Sequence, residues 1–387
     1  MSIQNVAIVG AGVAGLAAAL SFARHGIRCD VLEQAPQLAE VGAGLQISPN
    51  ASRILGELGV LPEIEQHWRE PDTIRLADGR TLKTITALPA GGFARERWGA
   101  PYGVLHRATL QQALLHAVLH NDRCRLHLGC RLAEAEPRAI RDITGVEADL
   151  LVGADGVWST LRGRVPDSPS VTFSGNIAWR FTLPETSRSE LLDPDILTAY
   201  LGPESHLVCY PLKEIDGFNI VAITAGVSPG ETWAAEGSVA QRAMLLERFA
   251  GWHPKIVELL LAAGTPTFWP LYQASAGRWQ NGRDTVLIGD AAHAMMPFAA
   301  QGAAMAIEDA FELAGAVSRL PLPQALSTFE TERVRRAARV KDRANFNRFA
   351  YHARGPVRIA RDLVLSLRSP RNLIADLDWL YGYRAKG

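Results

Sequence analysis

The stretch "NVAIVGAGVAGLAAALSFARHGIRCDVLEQ", residues 5–34, constrains this chain more than any other. A β-branched run turns through Gly10, Gly12 and Gly15 into an alanine-rich helix that runs toward Gly26, and a second apolar strand ends at Glu33. Each glycine has its own task. Gly10 allows a tight turn, Gly12 lets the backbone approach a diphosphate, and Gly15 lets the helix pack closely on the strand. A diphosphate in that turn lies at a helix N-terminus, met by free amides and the helix dipole. Glu33 follows the glycines by about 20 residues, the place from which a carboxylate hydrogen-bonds an adenosine ribose, and its charge disfavours a 2′-phosphate. The unit is expected to bind FAD or NAD. Residues Val6 to Ala23 carry no charge and approach the length of a membrane span. Three spaced glycines and the lack of a basic leader favour the nucleotide turn instead, so no membrane partner is expected.

At 387 residues the chain exceeds a usual single core, so a large α/β body with a second module is expected. With 48% hydrophobic and 21% charged residues, the composition is that of a soluble globular protein. Basic and acidic residues balance at 40 each, which argues against nucleic acid as a partner. The basic run "ERVRRAARVKDR" at 332–343 reads as a solvated helix face. The four cysteines, Cys29, Cys124, Cys130 and Cys209, form no CxxC pair. They suggest neither a disulfide framework nor a metal site, and fit a reducing cytoplasm.

Further along, "GAGLQISPNASRILGELGV" reads as a glycine-rich loop entering a helix with Ser48 as N-cap and Pro49 at the first position. A hairpin is expected at "TIRLADGRTLKTI", turning at Asp78-Gly79. A helix follows from "HRATLQQALLHAVLH", then a strand at "CRLHLG". "ADLLVGADGVWSTLR" is an apolar strand ending in Gly153-Ala154-Asp155-Gly156. From 171 to 275, short alternating runs such as "HLVCYPL" suggest an antiparallel sheet. "DTVLIGDAAH" is a buried strand, a helix runs from Gly302 to Leu320, and the last sixty residues are mostly helical.

Between them lies "GDAAHAMMPFAAQGAAMAIEDA", residues 289–310, where Asp290 and His293 precede a long stretch without another charged residue until Glu308. This segment, the glycine turn with Glu33, and "GADGVWSTLR" together resemble the single-component (class A) FAD-dependent aromatic hydroxylases, which share the para-hydroxybenzoate hydroxylase fold. The resemblance covers most of the chain. "GAGLQISPNA", "GGFARERWGAPYGVLHRATL" and "LDWLYGY" look closest to the salicylate, 3-hydroxybenzoate and 6-hydroxynicotinate hydroxylase branch. It implies a fold of the α/β class: a Rossmann-like FAD-binding domain of glutathione-reductase type, made of 1–70, 101–170 and 276–325. An interleaved antiparallel β-sheet substrate domain would take 71–100 and 171–275, with a helical C-terminal region at 326–387.

The resemblance also implies roles. Gly10, Gly12, Gly15 and Glu33 would hold FAD, with Arg107 on its phosphates and ribose, Asp155 in a motif tied to FAD and reduced nicotinamide, and Asp290 on the ribityl chain. Arg162 is a candidate for nucleotide phosphates. Gly302 and Ala303 would open a helix whose N-terminus faces the flavin pyrimidine oxygen. The family's His-Pro is here His293-Ala294, so the local turn loses some rigidity, and His293 is read as structural. Pro297 retains the family proline whose carbonyl lies near flavin and substrate. Small residues let backbone approach the flat ring, and the apolar wall keeps water from a flavin C4a-hydroperoxide.

The implied reaction is NADH- or NADPH-driven hydroxylation, with O2, of a small hydroxylated aromatic or heteroaromatic acid. A base should reach the ring hydroxyl, because a phenolate donates electron density better than a phenol. His206 and Tyr210 are the candidates, since four-residue spacing on a strand puts both on one face. Simple packing is the competing reading of each. Gln301 joins them and Pro297 in the expected catalytic group, and Gln46 is expected to contact substrate. Two alternatives stand beside this reading: a same-fold oxygenase of a larger polycyclic or isoprenoid substrate, and a non-catalytic flavin-fold binding protein. A homodimer is left open.

Overall fold

The structure, a computed structural model, describes residues 3–38, 44–132, 137–184, 189–227, 235–236 and 239–387. The start of the loop expected before Ser48, residues 42–43, lies outside the described residues.

The N-terminal unit builds one edge-to-edge parallel sheet of five strands, in the order Thr285–Leu287, Leu150–Gly153, Asn5–Val9, Arg28–Leu32, Cys124–His127. Helices cover it, so its central strands are buried on both faces and read as continuous apolar runs rather than alternating ones. From Asn5–Val9 the chain first moves to one side and later returns on the other. The crevice at that reversal lies outside the carboxyl ends of the strands, where open α/β sheets bind ligands. Close packing there demands glycine. A Cβ on Gly15 would stand 1.9 Å from the Gly10 carbonyl oxygen, and Gly10 itself has φ +103 with the Ala154 oxygen 2.4 Å from where a Cβ would be.

The second sheet has eight strands: Ala235–Glu236, Thr267–Ala274, Val171–Pro184, Gly217–Ala225, Ser205–Leu212, Ile196–Gly202, Thr73–Asp78 and Thr84–Pro89, in that order. It departs from the expected antiparallel sheet at one place. Ile196–Gly202 lies parallel to Thr73–Asp78, because the hairpin at 73–89 comes from the N-terminal half and docks on the open edge. Period-two alternation separates its faces. Trp179, Phe181, Leu207, Cys209, Ile220 and Ala222 pack beneath the helices Val239–Phe249 and Pro254–Ala262. Ala178, Arg180, His206, Val208, Tyr210, Val221 and Ile223 line a cavity on the opposite side.

Ser48 occupies the N-cap position of Pro49–Glu57, yet its hydroxyl makes no capping bond. It donates instead to Asn50 Oδ1 at 2.7 Å, because a buried side-chain network competes for it. The helix Gly302–Arg319 packs against the 30-residue helix Leu322–Tyr351, and the basic run at 332–343 is corrected by that contact. Arg333 is fully buried and Arg336 nearly so, since Glu308 and Asp309 face them from the neighbouring helix. Three short helices, Gly355–Leu367, Pro370–Ala375 and Asp378–Tyr381, close the chain. The apolar stretch from Val6 to Ala23 is divided between a strand and a helix, and no helix among the described residues is long and apolar enough to cross a membrane.

Candidate active site

A cavity of about 340 Å³ lies between the crevice of the parallel sheet and the open face of the mixed sheet. The parallel-sheet side contributes Gly12, Ala14, Ala154 and Gly156, with Arg107 from the start of the helix Arg107–Leu119. The segment 289–306 contributes Asp290, Ala294, Met295, Pro297, Ala300, Gly302 and Ala303. The sequence motifs, distant along the chain, therefore meet on one hollow.

Two helices begin at this hollow, and neither is capped by a side chain. Val13–Arg24 starts after Gly12, and Gly302–Arg319 starts after Gln301; neither has an acidic residue in its first turn. Their first amides are thus available to an anionic or electron-rich group. A Cβ on Gly12 or Gly302 would meet nothing within 4 Å. Unlike Gly10 and Gly15, these two glycines are not demanded by the protein's own packing, and an occupant that approaches backbone supplies the reason for them. A flat, partly anionic dinucleotide such as FAD fits these residues.

Glu33 binds the turn from outside: its Oε2 accepts from the Ala11 amide at 2.8 Å and its Oε1 from Ala35 at 2.9 Å. Asp155 Oδ2 accepts from the Thr160 and Leu161 amides at 2.8 and 3.3 Å, while its Oδ1 is buried with no partner among the described residues. Arg162 does not face the cavity. Its guanidinium donates to the carbonyls of Asp290, Ala291 and Val157, so it clamps the motif loops together instead of offering charge to a phosphate.

Gln301 is also displaced from its expected place. Its side chain donates to Ser48 Oγ at 3.0 Å and accepts from Asn50 Nδ2 at 3.1 Å, behind the cavity wall. Asn50 donates onward to Glu308 Oε1 at 2.7 Å, which also accepts from Arg336. Arg333 bridges Glu308 and Asp309, each at 2.7 Å. Asp309 Oδ2 then accepts from the Gly289 amide at 2.9 Å and from His293 Nε2. The structural reading of His293 agrees with this: it ties the 289–293 loop to the helix. Against strong desolvation, Arg333 and Arg336 hold the Glu308 carboxyl below the usual carboxylate range, and His293 together with Arg333 holds that of Asp309 there. Glu312, at the margin of the same cluster, is pushed up by burial.

Across the cavity stand His206, Tyr210 and Gln46, as the spacing predicts for the first two. Gln46 Oε1 accepts from Tyr102 at 2.7 Å. His206 Nδ1 lies 2.9 Å from His352 Nε2, and burial lowers its pKa well below the usual imidazole value. Burial raises Tyr210 well above an ordinary phenol, with Arg180 pulling the other way.

Sequence reasoning missed Arg180. This side chain is half-buried and lines the cavity. Its Nε has no partner, its guanidinium stands 5.1 Å from the Trp269 ring centroid, and no carboxylate among the described residues pairs with it. Desolvation pulls its pKa down from the usual guanidinium value. The one available signal was a charge in the middle of the apolar run "NIAWRFTLP", in phase with cavity-facing Ala178 rather than with core-facing Trp179.

Comparison with known proteins agrees with this geometry. A family model described as "FAD binding domain" matches residues 4–344. The chain is 34% identical to 3-hydroxybenzoate 6-hydroxylase 1 of Aquipseudomonas alcaligenes, over 98% of both chains. It is 36% identical to a 3-amino-4-hydroxybenzoate 2-monooxygenase of Streptomyces platensis, over 98% of this chain and 96% of the relative. With the 6-hydroxynicotinate 3-monooxygenase of Bordetella bronchiseptica the identity is 30%, over 87% and 89%. Among solved structures, a variant of Klebsiella pneumoniae HpxO complexed with FAD superposes with a TM-score of 0.83 at 24% identity, covering 98% of each chain. A salicylate hydroxylase substrate complex gives 0.79 at 23%, covering 99% and 96%; both show the shared fold.

Proposed function

The chain belongs to the FAD-binding-domain family of flavin-dependent aromatic hydroxylases, and from that premise we propose that it hydroxylates a small aromatic or heteroaromatic acid already bearing a ring hydroxyl, using NAD(P)H and O2. The observation that carries the substrate class is Arg180. A guanidinium desolvated without a counter-ion is costly, and an aromatic carboxylate entering the cavity offsets that cost with a paired, charge-assisted contact. An isoprenoid or neutral polycycle leaves the cost in place.

The sheet sets the spacing. Arg180 is two strands from Val208, roughly 10 Å between their Cα atoms at the usual strand separation, and His206 and Tyr210 flank Val208 on the same face. An arginine reaching from one side and His206 or Tyr210 from the other close on a single aromatic ring. Arg180 holds the carboxylate, His206 Nε2 takes the hydroxyl proton, and Tyr210 and Gln46 orient the ring's polar edge. Neutral His206 suits a base, because burial keeps it unprotonated at neutral pH.

Gly12, Arg107, Asp290 and the amides at Gly302 and Ala303 are the residues that hold FAD. The redox chemistry, hydride acceptance from NAD(P)H and activation of O2, is supplied by FAD when bound. Ala294, Met295, Pro297 and Ala300 give that group an apolar wall that excludes water. We divide the chain functionally as 1–70, 101–170 and 276–325 for FAD, 71–100 and 171–275 for substrate, and 326–387 as a helical support. Four unpaired thiols suit the cytoplasm.

The test mixes FAD-loaded protein and NADH with 3-hydroxybenzoate, salicylate and 6-hydroxynicotinate, and with the neutral analogues phenol and 3-hydroxybenzamide. Acids should accelerate flavin bleaching and yield hydroxylated product, and neutral analogues should not. Equal acceleration by both sets, or by neither, overturns the substrate class.

A further inference from the structure

A ring hydroxyl that ionises inside a closed cavity gives up a proton that has to leave. His206 is almost wholly buried, yet its Nδ1 is 2.9 Å from Nε2 of His352, which is only partly buried. His352 sits in the turn that follows the helix Leu322–Tyr351 and does not line the cavity, whereas His206 does. Phe298 flanks both rings, with centroids 5.1 and 5.3 Å away, and Tyr351 stands 5.4 Å from His206. These aromatic neighbours pack around the two imidazoles.

We infer that His352 is the outlet of a two-imidazole relay that carries the substrate hydroxyl proton from the cavity to solvent, an inference that rests on His206 being the base. The steps balance. The hydroxyl O–H bond breaks as His206 Nε2 takes the proton and the phenolate keeps the electron pair. The proton on His206 Nδ1 passes to His352 Nε2, and His352 Nδ1 releases its own proton to water. One proton enters, one leaves, and neither ring retains a net charge. Return of a proton along the same path restores the starting tautomers.

The surroundings favour transmission over storage. Burial lowers both rings, His352 to about 4, so an imidazolium is disfavoured on either at neutral pH. Arg348 acts on His352 from the long helix, Tyr351 packs against His206, and Arg180 and Tyr210 line the same cavity as His206. The Arg354–Glu204 pair closes the turn at 2.9 Å. No carboxylate among the described residues is hydrogen-bonded to either ring, and Glu204, the nearest in sequence to His206, is paired with Arg354.

The experiment reads proton release directly, without turnover. Oxidised FAD-loaded protein is mixed with 3-hydroxybenzoate in lightly buffered solution containing a pH indicator, and 3-methoxybenzoate, which has no such proton, is the control. Wild type should release a proton on binding 3-hydroxybenzoate alone. His352→Gln, which keeps a hydrogen bond to His206 but cannot relay, should slow release at least tenfold with the ligand dissociation constant within twofold of wild type. His352→Ala should be equally slow and recover with added imidazole, and retained flavin absorbance shows that either variant is folded. Wild-type release rates in His352→Gln overturn the relay, since His352 then only orients His206. If His206→Gln abolishes release while both His352 variants are normal, the base stands and the outlet does not. If His206→Gln also releases its proton normally, or wild type releases none, the reading of His206 as base is wrong and the relay falls with it.

Discussion

Two regions of the molecule hold charge back from solvent, and they treat it in opposite ways. Between the helices Gly302–Arg319 and Leu322–Tyr351, Arg333 and Arg336 meet Glu308 and Asp309 in a network where each guanidinium and carboxylate has partners. On the cavity wall, Arg180 has no carboxylate partner among the described residues, and Asp155, between the lining residues Ala154 and Gly156, keeps one carboxylate oxygen without a partner among them. Saturated charges hold elements in one arrangement; an unsaturated charge beside a hollow marks where a ligand completes the count. The two regions are joined. Asp309 accepts from Gly289 and His293, so the saturated network fixes the loop that presents Asp290 to the cavity.

Breaking the network should have the largest effect. Arg333→Met leaves Glu308 and Asp309 buried and underpaired, and should lower unfolding free energy by about 3–5 kcal/mol in urea titrations, with loss of bound FAD as the 289–293 loop loosens. A change under about 1 kcal/mol would show that the cluster is not holding the fold.

Arg180→Met makes the sharpest contrast. It should weaken binding of an aromatic carboxylate by about 2–5 kcal/mol, measured by flavin difference spectra. Affinity for the matching neutral phenol should be unchanged, and thermal stability equal or higher, because an unpaired charge has been removed. Equal losses for acid and neutral ligand would make Arg180 a structural residue like Arg333.

Acid should separate the regions again, with a smaller effect. The Glu308 and Asp309 pKa values are lower folded than unfolded, so their contribution is complete above the ordinary carboxylate range and is lost as pH falls through the folded values. Glu312 is raised and opposes this, favouring the folded state when protonated. Urea midpoints should therefore fall below about pH 4.5 in wild type and fall less in the Arg333 variant. An identical slope in both proteins would detach the cluster from acid stability.

Tyr210→Phe should give the smallest change. Loss of one neutral hydroxyl at the cavity should weaken substrate binding by about 0.5–1.5 kcal/mol and leave urea stability unchanged. A fall in stability instead would place the hydroxyl in the packed face with Tyr102 and Trp98.

Much of this was legible along the chain because the signals are local. Gly10 and Gly15 follow from steric contact within one turn, and the even spacing of His206 and Tyr210 is a property of any strand. The alternation at 171–275 revealed the sheet for the same reason, but not the parallel pairing of Ile196–Gly202 with Thr73–Asp78, because register between distant strands leaves no mark in either. Gln301 and Arg162 were assigned to ligands on position in a motif. Their hydrogen bonds go to partners 253 and 129 residues away, a choice that motif spacing does not carry.

By itself, then, the sequence determined the dinucleotide turn and the class of fold, since backbone sterics and periodicity act over a few positions. Tertiary structure alone decided which buried charges are spent. Glu308 and Arg333 become a structural pair, whereas Arg180 meets no carboxylate among the described residues, because pairing and desolvation depend on what the rest of the chain brings within a few ångströms.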